Sequence, residues 1–522
     1  MAKNLILGLI VTAAFFVRVV VLDRVPPSLY WDEASLAYNA YSIAQTGRDE
    51  HGEFLPWQRF IAFGDYKPPG YIYAAAAAIK LFGPTDWAVR LPSALAGTLL
   101  VLLTFFLVKQ FTTNYQLPTI GSLFVALSPW AIHFSRGAFE ANLATLFSGL
   151  GIFLFIWSVN RKSWPGFAFC ALSFALALYT FNSHRIFVPL MVGALGLIYF
   201  RDLLSQKRNF LLFALCSLLF VTPLVPYLLS REARLRLDEV SWTKDLDPIV
   251  LNNKRVETDG GAWWAKVIHN RRIVWAGEFA KHYADSFKPE FLFHSGDDNK
   301  RLSIQSFGEL YWLDLPFLLA GIYFLIKNKS KFSAVILAWA FLAPIPAALA
   351  RETPHALRML NILPVPQIIT AYGVITLLKT KPQYLVFSIL YLVSGILYLR
   401  DYLLVYPVKY SSSWQYGYKE LVEKVKKIED KYNCISVTGV LGRPYIYFLW
   451  YNQYPPQKYW ATRNIWRDWF GFWYVEEFGK YRFGDDEYPN EKCLYVRGEE
   501  KIQGQDGIKD LGGQTQLILY EK

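Results

Sequence analysis

The feature that most constrains this chain is a series of apolar runs, each about as long as a lipid bilayer is thick. Windows near 4–22, 88–108, 116–134, 139–159, 164–180, 184–200, 210–229, 311–326, 332–350, 359–378 and 383–399 are predominantly apolar. At about 1.5 Å per residue, ~20 helical residues cross a hydrocarbon core of ~30 Å. In lipid only a helix or a closed barrel satisfies the backbone. The sequence therefore predicts an all-α polytopic membrane bundle of about 11 transmembrane helices. Composition agrees: the chain is 53% hydrophobic, and its 17% aromatic content is rich in Trp and Tyr at the ends of the runs. That is where interfacial aromatic belts are expected.

The connections between runs divide by charge. One set is short and basic, with Lys3, Lys109, Arg161 and Lys162, Arg201, Lys207 and Arg208, Lys327, Lys329 and Lys331, and Lys379 and Lys381. These are expected on the cytoplasmic side. The other set then faces outward and contains loops 23–87 and 230–310, the shorter connections near 135–139, 182–185 and 351–358, and everything beyond about 400. A formal net charge of +12 in a soluble protein would raise nucleic acid as a partner. Here the basic residues lie mostly between apolar runs, so membrane lipids are the expected neighbours and no nucleic-acid partner is implied. The expected location is the cell (inner) membrane, crossed many times.

Two domains are expected: 1–400 as the membrane domain with its outer loops, and 401–522 as a small extracytoplasmic α/β domain. In the latter, residues 419–432 read as an amphipathic helix with Leu421, Val422, Val425 and Ile428 on one face. Residues 434–437, 493–496 and 516–520 read as strands, and 444–451 as a second helix. Cys434 and Cys493 are free to pair if this region meets an oxidising compartment. Cys170 and Cys216 fall in apolar runs and read as packing residues. Residues 70–82 are apolar but too short to span and read as a helix near the outer surface.

The outward loops hold the residues with chemical potential. Trp31-Asp32-Glu33 follows the first run. Two adjacent carboxylates at a membrane surface suit a general base or a cation site; they equally suit a helix start, where acidic residues are favoured. Tyr66-Lys67-Pro68-Pro69-Gly70-Tyr71 holds a lysine beside a rigid Pro pair. Such a lysine binds a phosphate as a point charge, or snorkels to lipid headgroups. Arg136, Arg185, Arg351, His355 and Arg358 add cations on the outer side, against the topological bias. Glu140, four residues after Arg136, reads as its partner on a shared helix face. Asp297 and Asp298 lie in a turn, and Asp49-Glu50-His51 clusters hard oxygen and imidazole groups without a spacing that specifies a metal.

Taken in order, three of these motifs resemble the GT-C superfamily of membrane glycosyltransferases. They are the Asp32-Glu33 pair, the segment Lys67 to Tyr71 leading into Trp87-Ala88-Val89-Arg90-Leu91-Pro92, and Ser135-Arg136 with Glu140. The similarity is to the branch of protein O-mannosyltransferases and the aminoarabinose transferase of lipid A, and it covers about residues 1–200. The resemblance implies an inverting transferase that takes its sugar from a polyprenyl-phosphate donor at the outer face. The acceptor is then a protein, lipid or glycan hydroxyl. It further implies Asp32 as catalytic base and Glu33 as the residue placing acceptor or cation. Lys67 and Arg136 would hold the donor phosphate, with Tyr66, Arg185, His355 and Arg358 placed near it on charge and side of the membrane. Asp297 lies in a segment that looks like a bacterial subgroup of the same proteins. Some members of the superfamily bind a divalent cation and others do not, so a metal at Asp32, Glu33, Asp49 or His51 stays open.

The competing reading is a transporter or flippase of a lipid-linked saccharide. Such proteins place charges inside the bundle near the bilayer midplane. Here the charges cluster in outward loops. Arg18 is the clear exception, and its place near the outer end of its run would let it snorkel.

Overall fold

The computed structural model describes residues 2–242, 247–469, 471–498 and 507–521. The chain is mostly helical and forms two compact units. The first comprises 1–10, 99–131 and 144–392; the second comprises 11–98, 132–143 and 393–522.

Among the described residues, six helices are long and apolar enough to cross a membrane: Asp86–Lys109, Glu140–Arg161, Lys207–Leu228, Lys331–Ala348, Leu360–Leu377 and Lys381–Lys409. A seventh crossing forms if Gln116–Leu127 and Pro129–Arg136, bent by 53° against each other, count as one broken span. The runs expected near 164–180 and 184–200 are shorter apolar helices, Trp164–Leu178 and His184–Ile198, and that near 311–326 is the 14-residue helix Asp314–Lys327. Several of the runs contain proline, which removes a ladder hydrogen bond and shortens regular helix. Within the first unit, Asp314–Lys327 packs on Val365–Leu377 with the backbones nearly in contact. A Cβ at Gly321 would lie 2.1 Å from the carbonyl oxygen of Ile369, and one at Gly373 would lie 1.9 Å from that of Phe317. Small residues at such crossings let helices approach closely in lipid. Trp130 and Trp339 close this unit, donating their indole N–H groups to the carbonyls of Ala356 and Asn361.

The second unit is built on loop 23–87 and the C-terminal region. Its elements in chain order are α1 (Ala2–Val19, from residue 11), α2 (Trp31–Thr46), the hairpin β1 (Phe60–Ala62) and β2 (Asp65–Lys67), α3 (Gly70–Phe82) and the start of α4 (Asp86–Lys109). The end of α6 (Pro129–Arg136, after α5, Gln116–Leu127) and the start of α7 (Glu140–Arg161) also belong to it. Among the described residues, a seven-stranded sheet completes it: β3 (Cys434–Val437), β4 (Asn464–Arg467), β5 (Trp473–Phe478), β6 (Tyr481–Phe483), β7 (Cys493–Arg497), β8 (Gly507–Lys509) and β9 (Thr515–Glu521). The sheet order is β4-β5-β6-β3-β7-β9-β8, with β3 parallel to both neighbours and the remaining pairs antiparallel. Cys434 and Cys493 lie opposite each other on β3 and β7 and form a disulfide. The helix Tyr418–Ile428 buries Leu421, Val422 and Val425 as its periodicity requires.

Arg18 does not snorkel. It is fully buried, and donates to the hydroxyl of Ser135 at 3.2 Å and to the carbonyl of Ala14. Gly97 makes room for this pair: a Cβ there would lie 1.9 Å from the Ser135 hydroxyl and 3.1 Å from the Arg18 Nε.

Candidate active site

The site is built around the start of α2. Residues 26–30 lead in through bends at Pro26, Pro27 and Ser28 to an extended Tyr30, and the helix begins at Trp31. Asp32 and Glu33 therefore occupy its first turn, yet their surroundings differ completely. Glu33 is wholly buried and receives two hydrogen bonds from the equally buried Arg90, at 3.0 and 2.9 Å. It also accepts from the backbone N–H of Ala138 at 2.6 Å and of Tyr30 at 3.4 Å. Arg90 spends its remaining donors on the carbonyls of Leu22, Pro26 and Ser28. Every charge here is neutralised and every direction used, as a buried ion pair requires. Glu33 is thus the part of the dyad that ties the start of α2 to Arg90 and to the Ala138 amide.

Asp32 keeps a side chain 28% exposed and faces Lys67, whose Nζ lies 2.8 Å from its Oδ1. Lys67 closes β2, immediately before Pro68 and Pro69, and its side chain is 8% exposed. Its Nζ is also 3.9 Å from Oε1 of Glu140, at the start of α7. The α6–α7 junction puts Glu140 there. The chain turns at residues 137–139 instead of continuing as one helix, so Arg136 and Glu140 do not share a face. The result is one ammonium flanked by two carboxylates at the mouth of a loop.

Arg136, expected at the donor phosphate, faces elsewhere. It is 1% exposed and donates to the carbonyls of Val17, Val20, Val21 and Val25 at 2.5, 2.9, 3.3 and 3.0 Å, with Tyr402 against its guanidinium. Those carbonyls are the unsatisfied end of α1 and the turn that follows it, a natural place for a cation. Tyr66 is buried and accepts from Arg467 of β4 at 2.8 Å. Asp49 accepts from the amides of His51 and Glu53 within its own turn, and burial pushes its carboxyl up to about 6. His51 packs against Trp473 and is pushed down to about 3 by burial and by Arg463. Among the described residues, the one group of three metal-binding side chains with mutually close ligand atoms is Cys434, Glu491 and Cys493, whose sulfurs are joined to each other. Asp32, Glu33, Asp49 and His51 are not drawn into such a group.

The other expected residues belong to the first unit. Arg185 donates to the carbonyl of Leu178 and lies over Tyr227, while neighbouring His184 is buried with both ring nitrogens unpartnered. His355 accepts from the amide of Arg358 at 3.4 Å. Burial and the adjacent Arg358 push its imidazole well below its usual range. Arg358 lies 3.6 Å from Glu352. Asp297 accepts from the amides of Ala356 and Asn299, tying loop 297–299 to loop 355–358, and burial pushes it up to about 6. Its turn is thus a joint between two loops.

Sequence reasoning missed Arg90 as a member of the site. The signal was present: an arginine within an apolar run needs a buried anion or carbonyls. Gln415 and Tyr447, which also reach α2, carried no such signal.

Residues 66–227 match the family described as dolichyl-phosphate-mannose-protein mannosyltransferase. The apo structure of ArnT from Cupriavidus metallidurans is similar with a TM-score of 0.52 and 13% identity, over 87% of this chain and 86% of that one. The apo oligosaccharyltransferase of Archaeoglobus fulgidus is similar with a TM-score of 0.50 and 11% identity, over 87% of this chain and 64% of that one. The chain has a GT-C fold. Within that fold it resembles the branch of the mannosyltransferases and ArnT. No curated protein matches it by sequence. In this chain the matched segment begins one residue before Lys67 and includes Arg90, Arg136 and Glu140.

Proposed function

We propose that the chain transfers a sugar from a polyprenyl-phosphate carrier to an acceptor hydroxyl at the outer face of the cell membrane, with inversion at the anomeric carbon. The observation that carries the reading is the contrast within the dyad. Glu33 is consumed by Arg90, whereas Asp32 presents a partly exposed carboxylate held by a lysine at 2.8 Å. A carboxylate so placed accepts a proton, and a lysine so placed meets a phosphate.

The chemistry then divides between two side chains. Asp32 takes the acceptor hydroxyl proton as that oxygen attacks the anomeric carbon. The bond from that carbon to the phosphate oxygen breaks, and the electron pair leaves with the phosphate. Lys67 stabilises the charge that develops on the phosphate, and preorganised cations of this kind often supply a large share of catalysis. Glu140 keeps Lys67 aimed when the donor replaces Asp32 as its partner. Glu33, Arg90 and Arg136 hold the loop and the end of α1. Mannose on a dolichyl phosphate and a protein acceptor are named in the description of the matched family, which supports a lipid-phosphate donor here.

The outer-face assignment rests on the basic short loops and on the Cys434–Cys493 disulfide, which fits an oxidising compartment. Residues 401–522 are proposed as an α/β domain on that same side.

The test uses the purified full-length chain in proteoliposomes carrying labelled undecaprenyl-phosphate mannose and aminoarabinose, with outer-face glycolipids and proteins as acceptors. Free undecaprenyl phosphate released in step with labelled acceptor supports the transferase. Movement of intact lipid-linked sugar between leaflets, with no release, overturns it in favour of a flippase.

A further inference from the structure

Asp32 sits between two anchored neighbours. On one side Glu33 is fixed by Arg90. On the other, the backbone N–H of Trp31 opens α2, one of the donors that a helix start leaves without an internal partner. That N–H is satisfied from 384 residues away in the chain: it donates to Oε1 of Gln415 at 2.9 Å.

Gln415 has little freedom to let go. Its Oε1 also accepts from the Tyr447 hydroxyl at 2.8 Å, and its Nε2 donates to the carbonyl of Leu441 at 2.6 Å. It is 6% exposed, and its backbone is held at φ 54°, a left-handed conformation that residues with a Cβ rarely adopt. Tyr447 is itself locked by a parallel stack on Tyr418, with ring centroids 4.2 Å apart. The Trp31 ring is seated in the same region. Gly442 has φ +80°, and a Cβ there would lie 2.6 Å from that ring. Trp414 meets Tyr30 edge-on at 5.6 Å. Residues 30 and 31 are thus held by two C-terminal segments, Trp414-Gln415 and the turn at Gly442, with Tyr447 bracing Gln415, all in the same compact unit.

We infer that Gln415, oriented by Tyr447, is a positioning residue for Asp32. Through it the C-terminal region sets the start of α2, and with it the placement of the Asp32 carboxylate against Lys67. This inference rests on the reading of Asp32 as the base. Its physical content is that losing the Gln415 acceptor removes the hydrogen bond that ties the first amide of α2 to the C-terminal region, which loosens the first turn. The Asp32–Lys67 pair then lengthens. Displacements of about 1 Å from groups remote from the reaction lower rates by as much as ~100-fold.

The experiment reads the pair directly and needs no identified donor. Full-length protein in nanodiscs is labelled with acetic anhydride over a range of pH, and acetylation of Lys67 is followed by mass spectrometry. Exposed Lys80 serves as the internal reference. Among the described residues, the carboxylates of Asp32 and Glu140 face Lys67. The Asp32→Asn variant defines the full effect of losing the nearer one, a faster Lys67 reaction at fixed pH. Gln415→Leu and Tyr447→Phe are expected to raise Lys67 labelling roughly threefold or more and by a lesser amount, respectively, as a weakened ion pair makes the ammonium more acidic. Gln415→Glu keeps an acceptor for the Trp31 and Tyr447 donors and is expected to return labelling toward wild type. If Gln415→Leu and Tyr447→Phe both label Lys67 at the wild-type rate while Asp32→Asn does not, the inference is overturned. If Gln415→Leu also disturbs Lys80, Tyr447→Phe decides, since it retains the stack on Tyr418 and loses only the hydroxyl. The catalytic reading fails on a different result, normal transfer by Asp32→Asn.

Discussion

The carboxylate of Glu33 and the guanidinium of Arg90 are both fully buried and meet through two hydrogen bonds, at 3.0 and 2.9 Å, one residue along the chain from Asp32. Removing one member of such a pair leaves an uncompensated charge in a dry place. Arg90→Met is therefore expected to destabilise the protein by about 3–5 kcal/mol. Thermal unfolding in detergent checks this. The double variant Arg90→Met with Glu33→Leu should recover part of the loss, because no orphan carboxylate remains. Recovery should be incomplete, since Arg90 also serves three backbone carbonyls.

Lys67→Ala is expected to weaken binding of the lipid phosphate and to leave acceptor affinity little changed. Titration of the purified protein with undecaprenyl phosphate, against wild type, measures the first. A kinetic comparison of apparent affinities for donor and acceptor measures the second. A charge-assisted hydrogen bond to phosphate contributes about 1.5–3 kcal/mol, so donor binding should fall by roughly ten- to a hundredfold. Equal losses for both substrates would speak for a purely structural lysine.

Glu50 offers a test through pH. It is buried, accepts from Tyr445 at 2.9 Å and from Asn39 at 3.3 Å, and burial pushes its carboxyl up to about 7. A carboxyl raised in the folded state holds its proton there after the unfolded chain has released it. Stability should fall as pH rises from the ordinary glutamate range to about 7, then level off. Glu50→Gln removes that proton release, so melting temperatures across this range should decline less steeply than in wild type. A Glu50→Gln curve parallel to wild type would assign the slope to other groups, such as Asp49.

Much of this molecule is legible in its residues, though unevenly. The apolar runs mark where helices lie, because 3.6-residue periodicity and bilayer length act on each segment alone. The helix Gly70–Phe82, the strand Cys434–Val437 and the helix Pro444–Tyr451 appear where local patterning puts them. Strands β4 to β6 and β8 were missed. The sheet has two parallel neighbours around β3, and pairing across such distances leaves little local trace. In the site, Asp32 and Lys67 stand out as charges that a membrane-surface loop must account for. What they leave open is which cations remain for a ligand. Arg136 shares the charge and side of Lys67, yet the carbonyls at the end of α1 claim it. Glu33 shares the chemistry of Asp32, yet Arg90 claims it. Those partners lie 57 to 119 residues away in the chain and become visible only when the loop is folded.

The central claim is that the Asp32 carboxylate takes the acceptor proton, and one measurement addresses it most directly. Purified Asp32→Asn protein is given labelled donor and acceptor, and polyprenyl phosphate release is timed against wild type at equal folded concentration. Loss of a general base should slow turnover by about 10²–10⁴-fold while donor binding and melting temperature hold. Release at the wild-type rate would contradict the account and return Asp32 to the role of a helix-start residue paired with Lys67.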